Sequence, residues 1–126
     1  MTSNQPEKPE IDFPGEAPSD LEVSDATEGD GTEATAGKTV SVHYVGVAHS
    51  TGEEFDASYN RGEPLNFRLG AGQVISGWDQ GVQGMKVGGR RQLVIPPHLG
   101  YGDRGAGGVI GPGETLIFVV DLLDVR

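Results

Sequence analysis

The sequence predicts an α+β fold, with five or six antiparallel strands wrapped around one short helix. Apolar and polar residues alternate in several short segments, which is typical of strands that bury one face. Only residues 73–85 carry apolar residues at helical spacing. Turns rich in glycine and proline separate these segments from one another.

The predicted helix at residues 73–85 carries two stripes. One helical face consists of Ile75, Trp78, Val82 and Met85. The neighbouring stripe consists of Gly77, Gly81 and Gly84. Each glycine costs a helix interior about 1 kcal/mol relative to alanine. Three glycines in one short segment therefore predict that another surface approaches the helix very closely, and the segment also holds the only tryptophan.

The strands are predicted from alternation and from the turns between them. Residues 39–47 place Val40, Val42 and Tyr44 on one side and His43 on the polar side, as in a half-buried strand. We expect a structural role for His43. The other strands are predicted to begin near Leu21 and to cover residues 54–58, 64–70, 90–95 and 115–125. Residues 101–113 hold six glycines and one proline, the composition of an ordered loop or flap.

Length and charge predict one domain with a tail. Residues 1–18 contain four prolines and little to bury, so we expect a disordered tail before a domain at residues 19–126. Residues 1–36 hold ten acidic residues and one lysine, which places most of the net charge of −10 at the front of the chain. That tail is either a solubilising segment or an acidic docking arm. Net negative charge argues against nucleic-acid binding.

Compartment and assembly are constrained only weakly by the sequence. There is no cysteine, so disulfides and thiolate metal sites are excluded, and a reducing compartment is permitted. Neither a secretory signal nor an apolar run long enough to cross a membrane is present. We expect a cytoplasmic monomer.

The motifs of covalent, metal and phosphate chemistry are missing. The Gly37-Lys38-Thr39 run lacks the earlier glycine of a phosphate loop and feeds a strand instead of a helix. The three histidines have no metal-ligand spacing, and there is no G-x-S-x-G element for a serine nucleophile. We therefore expect no cofactor and no metal. What remains is an apolar pocket with a few polar groups.

Six stretches of the sequence carry a resemblance to a known family. They are residues 42–46, 55–58, 73–78, 81–85, 100–102 and 115–118. In this order and spacing they resemble the FKBP-type peptidyl-prolyl cis-trans isomerases over about residues 19–126. The resemblance implies a pocket between helix and sheet that binds X–Pro segments of polypeptides, and it implies macrolide inhibitors such as tacrolimus and rapamycin as ligands.

The resemblance also assigns roles to residues. Trp78 would be the pocket floor, the backbone N–H of Ile75 would bond a substrate carbonyl, and Arg61 would pair with Asp56. The implied catalytic set is Tyr44, Phe55, Asp56, Trp78, Tyr101 and Phe118. The implied substrate-binding set is Arg61, Leu65, Phe67, Val74, Ile75, Val109 and Ile110. Asp56 has two alternative roles, a direct electrostatic one or a structural one that shapes the pocket.

Three residues depart from the family pattern. Leu65 stands where an aromatic residue is common, Ala106 where many members carry histidine, and Gly111 where proline is frequent. These changes bear on substrate preference and on macrolide affinity. Two functions compete with the enzyme: a module that holds a proline or leucine side chain without turnover, and a general chaperone. The segment from residue 97 to residue 114 is too short for the inserted chaperone domain of some family members.

Overall fold

In the described part of the chain, a six-stranded antiparallel sheet and two short helices make up the fold. The structure, a computed structural model, describes residues 7–126. Strands β1 to β6 span Glu22–Thr27, Thr39–Ala48, Glu54–Ala57, Leu65–Arg68, Arg90–Ile95 and Leu116–Val125. Helices α1 and α2 span Ser58–Arg61 and Ser76–Gly81, and a 3₁₀ turn spans Pro97–Leu99. The predicted α+β class and the antiparallel sheet are confirmed.

The two longest strands lie in the middle of the sheet. The strand order is β1-β5-β6-β2-β3, and β4 also pairs with β2. β2 and β6 pair from Val40 with Val125 to Ala48 with Leu116. Their inner face packs against α2, and this packing forms the main core. The core includes Val40, Val42, Tyr44, Phe67, Leu69, Trp78, Val82, Met85, Leu93, Ile95, Leu116, Phe118, Val120 and Leu122.

Helix α2 is shorter than the predicted helix at residues 73–85. Ile75 is extended, with φ −60° and ψ 151°, so the helix begins only at Ser76. Gly84 has a φ of +89°, which lies outside the right-handed helical region. Val82 and Met85 are nevertheless buried. The apolar spacing therefore predicted burial correctly, but the two ends of the segment belong to turns.

A carboxylate explains the turn that precedes α2. The two oxygens of Asp79 accept hydrogen bonds from the backbone N–H groups of Gly70 and Gly72, at 2.8 and 3.0 Å. Gly70 and Gly72 have φ values of +78° and +74°, which side chains rarely adopt. This turn folds the chain back before the helix begins.

The prediction of a single helix was wrong, because α1 forms one further helical turn. It begins at the buried Ser58 and ends at Arg61, and the next residue, Gly62, has a φ of +71°. The Gly62 N–H bonds to the carbonyls of Ser58 and Tyr59, a common helix termination. One turn is too short to show an apolar period, so the segment looked like a polar loop in the sequence.

The glycine stripe has the predicted cause at two of its three positions. A Cβ on Gly77 would lie 2.5 Å from the Ile95 side chain, and one on Gly81 would lie 2.7 Å from Leu93. Both neighbours belong to β5, which is therefore the surface that approaches the helix. At Gly84 the nearest atom is 4.0 Å away. Position 84 favours glycine because its backbone is left-handed, not because another surface packs closely against it.

Strand β2 is buried on both faces, so the prediction of a half-buried strand was wrong. His43, expected on the polar side, is 2% exposed, and Ser41 on the same face is 6% exposed. The imidazole of His43 stacks on Tyr59 at 4.5 Å and lies 2.8 Å from the Ser58 hydroxyl. Helix α1 thus covers the outer face at this point. The buried, hydrogen-bonded position of His43 agrees with the structural role expected for it.

The described part of the tail contains no helix or strand before β1. Residues 7–16 nevertheless contact the outer face of the sheet, where Ile11 packs against buried valines and isoleucines. Residues 1–6 lie outside the described residues. The disorder expected for residues 1–18 and the boundary at residue 19 stay predictions. No helix in the described part of the chain is long and apolar enough to span a membrane.

Substitution Gly77→Ala is expected to lower the free energy of unfolding by about 1–3 kcal/mol, because the added methyl group overpacks the contact with Ile95. Chemical denaturation of the wild type and the variant measures this change. Gly111→Ala is the matched control, since a Cβ there meets nothing within 4 Å and its φ is not positive. Equal stability of both variants would contradict the close approach.

The stability of the fold is expected to fall between pH 7.5 and pH 5. Burial lowers the pKa of His43 from its ordinary value of 6.5, and the charge of Asp121 opposes this only partly. The unfolded chain therefore takes up the proton first, so stability is fully present above about pH 6.5 and decreases below it. Denaturation midpoints at both pH values measure the loss. In His43→Asn the loss of stability between the two pH values should be smaller. An equal loss in the variant and the wild type would contradict the assignment of the pH dependence to His43.

Candidate active site

A cavity of about 240 Å³ lies between α2 and the inner face of the sheet. It is lined by Tyr44, Phe55, Asp56, Leu65, Gln73, Val74, Ile75, Trp78, Tyr101 and Phe118. Strands β2, β3, β4 and β6 contribute four walls, α2 and the residues before it contribute the base, and Tyr101 belongs to the loop after the 3₁₀ turn. Residues far apart in the sequence therefore meet around one largely apolar space.

Trp78 forms the base of this cavity. It is 3% exposed and meets two aromatic rings edge to face, Tyr44 at 4.9 Å and Phe118 at 5.2 Å. Phe67 packs against the indole from β4 at 5.6 Å. Such edge-to-face contacts fix ring orientation as well as position. The indole N–H has no hydrogen-bond partner among the described residues.

The aromatic wall opposite α2 depends on a glycine. Phe55 and Phe118 meet edge to face at 5.4 Å. Gly46 on β2 lies directly beneath both rings, and a Cβ there would be 2.6 Å from Phe118 and 2.7 Å from Phe55. The sequence alone assigns no role to Gly46, because the residues that approach a strand glycine are known only from the tertiary structure.

Three polar side chains form a closed cluster at the rim. The Tyr44 hydroxyl donates to one oxygen of Asp56 at 2.5 Å, and Arg61 donates to the other oxygen at 2.6 Å. Arg61 also donates to the Tyr44 hydroxyl at 2.9 Å. Asp56 therefore pairs with Arg61, as the resemblance implies, and with Tyr44 as well. The cluster joins β2, β3 and α1 at one side of the cavity.

These contacts determine the charge state of the cluster. Burial raises the pKa of Asp56, but the hydrogen bonds from Tyr44 and Arg61 outweigh it, so the net pKa lies below the ordinary value. Burial and the bond to Asp56 raise the pKa of the Tyr44 hydroxyl. The hydrogen bonds to Tyr44 and Asp56 raise the pKa of Arg61. Near neutral pH the cluster contains one carboxylate, one guanidinium and one neutral phenol.

Two further donors stand at the mouth of the cavity. The backbone N–H of Ile75 is in the extended residue before α2, and no described residue accepts a hydrogen bond from it. Tyr101 is 40% exposed, and burial followed by the charge of Asp56 raises the pKa of its hydroxyl. These two groups are available to a ligand that enters the apolar space.

Four of the residues implied by the resemblance do not line the cavity. Phe67 lies behind Trp78, and Arg61 acts through Asp56 and Tyr44. Ile110 is 6% exposed and packs in the main core, whereas Val109 is 64% exposed. Gln73, which the sequence pattern does not mark as a site residue, lines the cavity and also accepts a hydrogen bond from the Arg68 N–H.

A second cavity of similar volume lies near the end of α2 and has a charged lining. The Arg91 side chain in this lining already donates hydrogen bonds to Asp25 and to the carbonyls of Gly81 and Gln83. No described group of three or more histidine and acidic side chains is arranged to hold a metal ion. The aromatic cavity is therefore the stronger candidate for a site.

Comparison with known proteins agrees with this arrangement. Residues 31–123 match the FKBP-type peptidyl-prolyl cis-trans isomerase family. The chain belongs to this family. The enzyme class and the function expected from the sequence, isomerisation of X–Pro bonds in protein folding, are thereby confirmed.

Relatives of this isomerase cover nearly the whole chain. An FK506-binding protein of Streptomyces anulatus is 77% identical over 121 residues, which are 94% of this chain and 98% of the relative. A probable FK506-binding protein of Corynebacterium glutamicum is 52% identical over 118 residues, covering 93% and 98%. The crystal structure of AtFKBP13 superposes with a TM-score of 0.78 at 45% identity, covering 87% and 96%.

Substitution Gly46→Ala is expected to reduce isomerase kcat/KM by about tenfold to a hundredfold, because the methyl group displaces the rings of Phe55 and Phe118. Isomerisation of an X–Pro peptide is the measurement. Gly31→Ala is the control, since a Cβ there would lie 2.7 Å from the Val87 side chain, which does not line the cavity. Similar losses of activity in both variants at equal stability would show that Gly46 does not act through the wall.

Proposed function

We propose that this isomerase turns over X–Pro bonds in the aromatic cavity, with the proline ring seated on Trp78. The observation that carries the proposal is a cavity of about 240 Å³ with an aromatic base and an aromatic wall. The charged side chains of the site, Asp56 and Arg61, lie at the rim, where they pair with each other and with Tyr44. A small apolar ring fits such a space, and an ionic group does not.

The reaction does not require acid–base catalysis. Rotation about a peptide bond has a barrier of about 18–20 kcal/mol because the planar amide is resonance-stabilised. The cis and trans forms of X–Pro bonds are close in energy, so only the rate of interconversion must change. The twisted amide has lost resonance and is less polar than the planar one. A dry aromatic cavity therefore binds the twisted form better than the planar form.

The required stabilisation is modest for such a site. Lowering the barrier by about 5–8 kcal/mol accelerates isomerisation by roughly 10⁴- to 10⁶-fold. Trp78, Phe55 and Phe118 exclude water from the twisted bond. The Ile75 N–H and the Tyr101 hydroxyl hold a substrate carbonyl, so the carbonyl stays fixed while the proline side of the bond rotates. Val74 and Leu65 border the bound chain.

Asp56 acts in this proposal by positioning Tyr44 and Arg61. Both of its carboxylate oxygens are already engaged by those two side chains, at 2.5 and 2.6 Å. A carboxylate satisfied in this way is a weak partner for the substrate, but it fixes the Tyr44 ring, which meets Trp78 edge to face. The contacts therefore support the structural alternative over the direct electrostatic one.

The flap residues Val109 and Ile110 are proposed to take part in substrate selection. Ile110 anchors the loop in the core, and the exposed Val109 next to it is free to contact the part of a polypeptide outside the cavity. Phe67 supports the base of the cavity from behind Trp78. Leu65, Ala106 and Gly111 are expected to alter preference among substrates and macrolides, not the isomerisation itself.

Unfolded or partly folded polypeptides with exposed X–Pro bonds are the proposed substrates. Macrolides such as FK506, after which the relatives are named, are proposed as competitive ligands of the same cavity. We propose that the isomerase works as a cytoplasmic monomer. The absence of cysteine is compatible with a reducing compartment, and the net charge of −10 opposes self-association.

Substitution Trp78→Ala is expected to lower kcat/KM for a short X–Pro peptide by at least about a hundredfold, because the proline ring loses its apolar seat. Val82→Ala is the matched control. Val82 is fully buried next to the same helix but does not line the cavity. Circular dichroism and denaturation midpoints establish that both variants are folded.

The outcomes separate the proposed site from its alternatives. Loss of activity in Trp78→Ala with activity retained in Val82→Ala supports the aromatic cavity. Equal activity in both variants would place the reaction elsewhere. Binding of a proline peptide to the wild type without acceleration would instead favour a recognition module.

A further inference from the structure

Residues 7–16, here called the N-terminal strap, cross the outer face of the sheet on the side opposite the aromatic cavity. Ile11 is their only aliphatic branched residue, and it contacts two clusters of buried side chains at once. The clusters consist of Val45, Ala57 and Val119, and of Val47, Val94 and Ile117. All six are at most 5% exposed. One side chain therefore bridges two apolar patches that no helix of the described chain covers.

The backbone of the strap is held by a side-chain amide next to Ile11. The N–H of Asp12 donates to the Gln92 side-chain oxygen at 3.1 Å, and the Gln92 side-chain nitrogen donates to the Asp12 carbonyl at 2.6 Å. Gln92 and Val94 lie on the same face of β5, two residues apart. The amide thus satisfies both backbone groups of one residue, as a neighbouring strand would.

Further contacts fix the two ends of the strap. Lys8, the only base in residues 1–36, pairs with Glu54 at 2.7 Å and bonds to Asn60 at 3.0 Å. Arg90 donates to the Glu7 carbonyl at 2.7 Å. At the other end, the His49 imidazole lies 2.6 Å from the Gly15 carbonyl. These contacts reach β3, β5 and α1, and Ile11 reaches β2 and β6, so the strap spans most of the width of the sheet.

We propose that the outer face of the sheet is a second peptide-binding surface, independent of proline, and that the N-terminal strap of the same molecule occupies it. The surface binds an extended segment by three kinds of contact. An isoleucine packs against the two apolar clusters, a backbone N–H and carbonyl bond to the Gln92 side chain, and a basic side chain pairs with Glu54. These contacts account for residues 7–16 better than the disordered tail expected from composition. The acidic, proline-rich composition keeps the strap extended and free of competing helix.

The surface also depends on its occupant. Without the strap, the strip around Val45, Val47, Val94 and Ile117 would face solvent in the middle of a sheet. Contiguous apolar surface of this kind favours association with another chain. The pairing of Lys8 with Glu54 and Asn60 further ties the strap to β3 and α1, the elements that carry Asp56 and Arg61 of the site.

Amide hydrogen exchange on the full chain tests the docked strap. The Asp12 N–H of the wild type is expected to be protected, and Ile11→Ser should reduce its protection factor by about tenfold or more. Phe13→Ser is the matched control, because Phe13 is a large apolar residue of the same strap that is 48% exposed, whereas Ile11 is partly buried against the two clusters. Absence of protection in the wild type, or equal loss in both variants, would overturn the proposal.

Two further measurements identify the occupant. Protection of Asp12 should not change on dilution, and protection that disappears at low concentration would assign the surface to the strap of a second copy. A synthetic peptide of residues 5–18 should bind full-length Ile11→Ser, whose own strap is released, and shift the backbone resonances of Val94 and Ile117. The same peptide with serine at position 11 should not. Equal binding of both peptides, or binding of neither, would contradict a peptide surface anchored by Ile11.

Discussion

The close approach of α2 to β5 is the constraint on which the rest of the structure depends. Gly77 and Gly81 leave no room for a side chain against Ile95 and Leu93, so the helix lies almost on the sheet. This distance brings the Trp78 indole within edge-to-face contact of rings on β2 and β6. A larger residue at either glycine would raise the helix and open the base of the cavity.

The two faces of the sheet are used differently. The inner face holds the main core and the cavity, whereas the outer face carries a buried polar cluster beneath α1 and an apolar strip beneath the N-terminal strap. In that polar cluster Asp121 is 5% exposed and pairs with Arg90 at 2.7 Å, while Tyr59 donates to the same carboxylate. Buried charges persist only when they are paired in this way. β2 is therefore enclosed on both sides.

Polar groups of the site are arranged to leave the cavity apolar. Tyr44, Asp56 and Arg61 satisfy one another at the rim, and the Ile75 N–H and the Tyr101 hydroxyl remain available at the mouth. For the proposed mechanism this separation is useful, because a twisted amide gains from a dry surface and needs only its carbonyl to be held. The same arrangement explains why no nucleophile or metal motif is found in the sequence.

The sequence by itself determined the antiparallel strands, the burial of Trp78, Val82 and Met85, and the membership of the family, because alternation, helical spacing and ordered motifs are local signals. Only the tertiary structure decided the rest. The end of α2 at Gly81, the enclosure of His43 by α1, and the place of Gly46 beneath two rings depend on neighbours distant in sequence. The spacing of apolar residues in a segment indicates which of its faces is buried. Which residues cover that face is decided by the packing of the whole chain.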